Sequence, residues 1–291
     1  MNKRHVSEHE VYDAYKILID STIDISPALK DRFAVIPLTI HVSGREFIDG
    51  VTMTADAFYR SLLKSKELPT TSQPTPAAFA QVFESLTDDG SEVVALTISS
   101  KVSGTYQSAH IAAADFPGKV FVVDSRSISL GAGVLAEYAL SRVNAGAGAP
   151  ELAAELEQLR ERCCVLGLFD TLEYLKKGGR ISKTTALAGG ILGVKPILGV
   201  RDGMIAMLGK ARGSRQGCKT LLQMIQENHI DRQLPVLFGY TGLSAAPLEM
   251  LLQNDTGTFS EQTVRQSTVQ IGSVIGTHAG PGAIAVAFFR Q

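Results

Sequence analysis

Cysteine is scarce in this chain, with three in 291 residues: Cys163, Cys164 and Cys218. Two are adjacent and no CxxC pair occurs, so a disulfide framework and the usual zinc and redox spacings are excluded. Runs of like charge are missing too, and 28 basic against 29 acidic residues leave a formal net charge of -1. That balance gives no electrostatic case for binding nucleic acid or for standing attachment to a membrane surface. No stretch reaches the roughly 18 uninterrupted apolar residues that a membrane-spanning helix needs. The opening MNKRHVSEHEVYDAYK lacks the apolar core of a signal peptide, so a reducing cytoplasm is the expected location. No G-x-S-x-G elbow occurs, and a hydrolase of that type has no support.

What is present is ordinary globular material, 45% hydrophobic and 20% charged, enough for one large domain or two moderate ones. Short Val/Ile-rich runs bounded by turn residues predict strands at KILID (16–20), FAVIPLTIHV (33–42), VVALTI (93–98) and VFVVD (120–124). Helical spacing falls between them at 54–63, 74–86, 103–114 and 130–143. Alternation of this kind implies βαβ units and a mainly parallel sheet. ELAAELEQLRERC (151–163) places Leu152, Leu156, Leu159 and Cys163 on one helical stripe, after the break NAGAGAP (144–150). The second half reads differently, with strands at 165–170, 195–200, 204–212 and 283–289 and a hairpin turning at Arg201-Asp202-Gly203. The expectation is a two-domain α/β chain: an N-terminal α/β domain with a parallel sheet over 1–162, and a C-terminal α+β domain over 163–291.

Two near-matches to nucleotide motifs do not hold. GAGVLA (131–136) fits G-x-G-x-x-A, but SRSISL (125–130) intervenes where a tight turn belongs. Its small residues are better read as letting a helix pack closely on a sheet. GGRISKT (178–184) ends like a phosphate-binding loop, yet Ser182 stands where the second glycine must be.

Four polar stretches remain, each where a strand or helix ends. In IDSTIDIS (19–26), Asp20 closes a strand and either orients neighbouring loops or serves a site, while Ser26 before Pro27 suits a helix cap. LPTTSQPTP (68–76) is bracketed by prolines and reads as extended; Ser72 or Thr75 caps the next helix, or a threonine hydroxyl is held over the sheet edge. In SSKVSGTYQS (99–108), Ser103 and Gly104 sit at a helix start, where a cap and an anion site are compatible. In IGTHAGPGAIAV (275–286), His278 lies among small residues, as a structural histidine or as one approached by a ligand.

Together IDSTIDIS, TTSQPTPAAF, ISSKVSGTYQSA, DTLEYLKKGGRIS, ILGVKPILGVRDG and THAGPGAIAV resemble, almost end to end, the DegV family of bacterial fatty-acid-binding proteins, also called FakB. The resemblance implies two α/β domains with a long-chain fatty acid buried between them. It implies that Thr71 and Ser103 hold the carboxylate, with His278 near the head group. Arg180, on an exposed-looking Gly-rich segment, matches an arginine tied to the family's kinase-linked role. The first motif departs slightly, reading DSTID where the family commonly has alanine before the aspartate.

The function so implied is a carrier without turnover or cofactor, binding no metal and no nucleic acid. It would take a fatty acid through transient membrane contact and present the carboxylate to a separate ATP-dependent fatty acid kinase. The acyl phosphate formed would then serve phospholipid synthesis. Two rivals stand beside it. One is a hydrolase or phosphotransferase using His278 and Ser103, which needs a carboxylate to orient the histidine. The other is a lipid-sensing regulatory protein acting through protein contacts.

Overall fold

The computed structural model describes residues 15–65, 67–181 and 193–291. The first expected strand is β1 (Tyr15–Asp20), and it lies inside a four-stranded sheet of order β2-β1-β6-β7, every pairing parallel. Its partners are β2 (Ala34–Ile36), β6 (Glu92–Thr97) and β7 (Val120–Asp124). The chain moves one way from β1 to β2 and the other way to β6 and β7, so the order reverses between β1 and β6. In open parallel sheets, that reversal at the carboxyl ends of the strands is where ligands bind.

FAVIPLTIHV is not one strand. Pro37 carries no N–H for a ladder, and the run divides there into β2 and β3 (Thr39–Val42), which join different sheets. β3 pairs antiparallel with β4 (Arg45–Ile48) and with β5 (Thr70–Ser72), so TTS is extended, as its flanking prolines predict. The 151–163 helix also needs correction. It ends at Leu159, a short 3₁₀ turn follows, and Cys163 opens β8 (Cys163–Leu168). A strand there places Cys163 opposite Phe289, a pairing that a helical stripe does not anticipate.

The second half forms a six-stranded sheet of order β10-β9-β8-β13-β11-β12, antiparallel except for the last pair. Its strands are β9 (Val194–Arg201), β10 (Met204–Arg212), β11 (Leu237–Tyr240), β12 (Thr268–Gln270) and β13 (Ile284–Phe289), with β8. Asp202 and Gly203 have φ of 50° and 79°, so β9 and β10 meet in a two-residue turn whose residues both lie in the left-handed region. The rest of GGRISKT, from Ser182 on, lies outside the described residues.

Between the two larger sheets runs a helix, α2 (Leu130–Asn144), whose first turns, Leu130–Ala136, are buried on every face. Its core joins Ile17 and Leu96 of the parallel sheet to Leu237 and Phe289 of the other. Apolar residues on all sides of those first turns are what a helix enclosed between sheets requires. The small residues of GAGVLA allow the approach. A Cβ on Gly133 would stand 2.0 Å from the Asp24 carbonyl oxygen, and one on Gly131 would stand 2.2 Å from Val165. Gly133→Ala therefore forces backbone apart and is expected to destabilise the protein by about 1–3 kcal/mol, read from a urea midpoint. An unchanged midpoint would show that the sheets do not close on this helix.

Candidate functional site

Where β1, β6 and β7 end, the chain faces the six-stranded sheet across a cavity of about 930 Å³, mouth included. Most of the wall is apolar, from Ile98, Val102 and Ile128 on one side and Val165, Leu198 and Ile284 on the other. Thr71, Ser103, Arg180 and His278 all line it. The four residues come from separate stretches of sequence and meet only in the folded chain.

Each reaches the cavity by a local device. Thr71 is the middle residue of β5, paired with Ile40, and the strand fixes its direction. Ser103 precedes α1 (Thr105–Ala113), and its Oγ accepts from Thr105 N at 3.3 Å and shares a 2.8 Å bond with Thr105 Oγ1. Ser99 forms the turn that leads there, its carbonyl accepting from the N–H of Val102 and of Ser103. Gly104 leaves room for Gln73, whose side-chain oxygen lies 2.3 Å from where a Cβ would be. Gln73 Nε2 then donates to Ser108 at 3.1 Å, tying the TTSQP stretch to SGTYQS. Thr75, not Ser72, caps the following helix, accepting from Ala78 N at 3.2 Å. Ser26 holds the N-cap position of the 3₁₀ turn Pro27–Arg32, its carbonyl accepting from Leu29 N, but its side chain makes no capping bond and its N–H donates to Glu137 Oε1 at 2.8 Å.

His278 sits in the last turn of the helix Ser273–Ala279, a helix that its glycine-rich sequence did not announce. Nε2 lies 3.0 Å from Thr71 Oγ1. Nδ1 is buried and has no hydrogen-bond partner among the described residues. Gly178 packs on it so closely that a Cβ there would lie 2.3 Å from Nδ1. A buried N–H without an acceptor is costly, so the ring takes the tautomer with the proton on Nε2, which donates to Thr71. The Thr71 hydroxyl then keeps its own proton for a ligand.

Arg180 differs from expectation. It is half-buried at the cavity rather than exposed, with Nη1 donating to Gly178 O at 2.6 Å. Burial first, and the Arg180 charge second, hold the His278 ring down to about 4. At neutral pH the ring is therefore uncharged, and Arg180 supplies the positive charge at this end.

Among the described residues the acyl-transfer arrangement is not built. His278 bonds Thr71 and not Ser103, and no carboxylate orients its Nδ1 among the described residues. Asp20 is engaged elsewhere, accepting from Thr22 N at 2.9 Å and Ile98 N at 2.7 Å.

A pH dependence follows. The folded-state value of His278 lies below the ordinary 6.5, so the unfolded chain binds more protons between the two values. Its contribution to stability is full above about 6.5 and is lost as pH falls toward about 4. The denaturation midpoint of the wild type is expected to fall more steeply across that window than that of His278→Gln. Parallel profiles would contradict a buried neutral ring.

Comparison with known proteins agrees with this architecture. The family described as "Uncharacterised protein, DegV family" matches residues 14–291. A DegV domain-containing protein of Caldanaerobacter subterraneus subsp. tengcongensis is 36% identical over 282 residues, covering 94% of this chain and 98% of the relative. The structure of a fatty-acid-binding DegV family protein from Thermus thermophilus superposes with a TM-score of 0.84 at 31% identity, covering 96% of this chain and all (100%) of that one. The Streptococcus pneumoniae fatty acid kinase B3 protein, loaded with linoleic acid, shares the fold at a TM-score of 0.82 and 20% identity, covering 96% and 100%. The match over nearly the whole length settles the family: this chain belongs to the DegV family.

Proposed function

We propose that the protein binds a long-chain fatty acid and carries it without chemical turnover. The observation that carries this reading is one apolar cavity whose wall holds the bonded Thr71–His278 pair together with Ser103 and Arg180. Such a wall suits a molecule that is mostly hydrocarbon with one anionic end. Burying about fourteen methylenes at about 0.8 kcal/mol each gives on the order of 11 kcal/mol before ordering costs. Hydroxyl donors in a dry site add charge-assisted bonds to the carboxylate. Thr71, Ser103 and His278 are the head-group residues in this reading. The DegV relative from Thermus thermophilus, described as fatty-acid-binding, supports it.

The further step is presentation of the carboxylate to a separate ATP-dependent fatty acid kinase, with the acyl phosphate passing to phospholipid synthesis. Its support is the resemblance of KKGGRIS to the family's kinase-linked segment and the place of Arg180 at the polar end. A cytoplasmic location, with transient contact at the membrane, fits that role. Among the described residues no helix is long and apolar enough to cross a membrane. We also place the division between two domains at residues 162 and 163, between the parallel sheet and the six-stranded one.

Calorimetric titration with a long-chain fatty acid tests the head-group assignment. Ser103→Ala is expected to weaken binding by about tenfold. Wild-type affinity in that variant would remove Ser103 from the site. Arg180→Ala is expected to lower acyl-phosphate formation with the kinase by more than it lowers fatty-acid affinity. Equal losses would make Arg180 a pocket residue only.

A further inference from the structure

The IDSTID stretch (19–24) contributes none of the four expected site residues, yet its two aspartates are buried, at 1% and 8% exposure. Neither is paired with a lysine or arginine by a hydrogen-bonded ion pair among the described residues. Buried carboxylates of this kind are retained only where specific donors satisfy them. Here the donors belong to the cavity's own framework.

Asp20 stands at the end of β1, beside the point where the sheet order reverses. Oδ1 accepts from the N–H and the hydroxyl of Thr22, and Oδ2 accepts from Ile98 N at 2.7 Å. Thr22 and Ile98 both line the cavity, and Ile98 is the last residue before the turn that leads to Ser103. Asp24 supports two other points of the same framework. Its Oδ1 accepts from Gly272 N at 2.8 Å, and its Oδ2 accepts from Ser129 Oγ at 2.6 Å. Gly272 is the residue that opens the helix carrying His278. Ser129 also lines the cavity and is held at φ 53°, a backbone region costly for any residue but glycine. Tyr59 steadies the same helix start, donating to Ile271 O at 2.9 Å.

We propose that Asp20 and Asp24 are positioning residues for the head-group end of the cavity. Asp20 sets the exit of β6 that delivers Ser103, and Asp24 sets the start of the helix that delivers His278 to Thr71. The proposal rests on the fatty-acid reading for its ligand, but its geometry does not depend on which ligand binds.

The two acids differ in a way that makes the proposal testable. Both oxygens of Asp20 accept from backbone N–H groups, so an asparagine must turn its NH₂ toward one of them. Only one oxygen of Asp24 meets a backbone N–H; the other meets a hydroxyl, which can reverse and accept from an amide. The same loss of one charge should therefore be damaging at 20 and tolerated at 24.

Full-length wild type, Asp20→Asn, Asp24→Asn and Asp24→Ala are titrated with oleate by calorimetry. The work is done above the value of about 7 to which burial pushes the Asp24 carboxyl. The ring nitrogens of His278 are followed by NMR in the ligand-free proteins. Asp20→Asn and Asp24→Ala are expected to weaken oleate binding by about tenfold or more, and Asp24→Asn to recover affinity to within about threefold of wild type. Asp24→Ala should shift the His278 nitrogens, while Asp20→Asn should leave them in place. Equal affinity in Asp20→Asn and Asp24→Asn would overturn the proposal, and that pair decides even if the alanine variant fails to fold. Unmoved His278 nitrogens in Asp24→Ala would overturn the Asp24 half. If wild type itself takes no oleate, the fatty-acid reading falls, and the His278 signals alone judge the positioning role.

Discussion

One hydrogen bond, 3.0 Å between Thr71 and His278, depends on almost everything else in the molecule. Its partners lie 207 residues apart, one on a short strand of the three-stranded sheet and the other on a short helix leading into β13. For them to meet, α2 must be thin enough to lie between two sheets, which Gly131 and Gly133 allow. The helix that bears His278 must also start at the right place, which the bonds from Asp24 and Tyr59 determine. The bond in turn decides the chemistry of the site. With the buried Nδ1 unpartnered, the imidazole proton sits on Nε2, and the bond leaves the threonine hydroxyl as a donor facing an apolar cavity.

A neutral imidazole beside a guanidinium is a particular electrostatic choice. A charged histidine in the same place would attract a carboxylate more strongly, but burial and Arg180 both oppose that charge. What remains is a set of hydroxyl donors with one nearby cation, suited to holding an anion while leaving its oxygens free of covalent attack. Ser103 bonds Thr105 rather than a base, which fits holding and does not fit nucleophilic turnover.

Much of this was legible in the residues. The Val/Ile runs locate β1, β6 and β7 to within a residue or two, because buried parallel strands need continuous apolar sequence. Asp202-Gly203 marks its turn through the φ values that the turn demands. GAGVLA was readable as close packing, since its spacing suits backbone approach but its context denies a nucleotide. Other features were set by tertiary contact and left no local trace. β4 and β12 are short and mixed in polarity, and β11 is apolar but only four residues long, so partners rather than propensity make them strands. The His278 helix is only seven residues long and contains a glycine, so no periodicity reveals it. Arg180 looked exposed because glycines and lysines precede it, whereas its backbone turns it back against Gly178 at the cavity. Asp24 gave one signal that could have been used: a second acid four residues after Asp20, between Ile23 and Ile25 just past a buried strand, needs donors from somewhere.

The central claim is that the cavity exists to hold a fatty acid by its carboxylate, and its contents test this most directly. Native mass spectrometry of the purified protein, followed by lipid extraction, should find a long-chain fatty acid in near-stoichiometric amount, and Thr71→Ala should retain much less. Protein that emerges empty from several growth conditions, and stays empty when a fatty acid is supplied, would contradict the account.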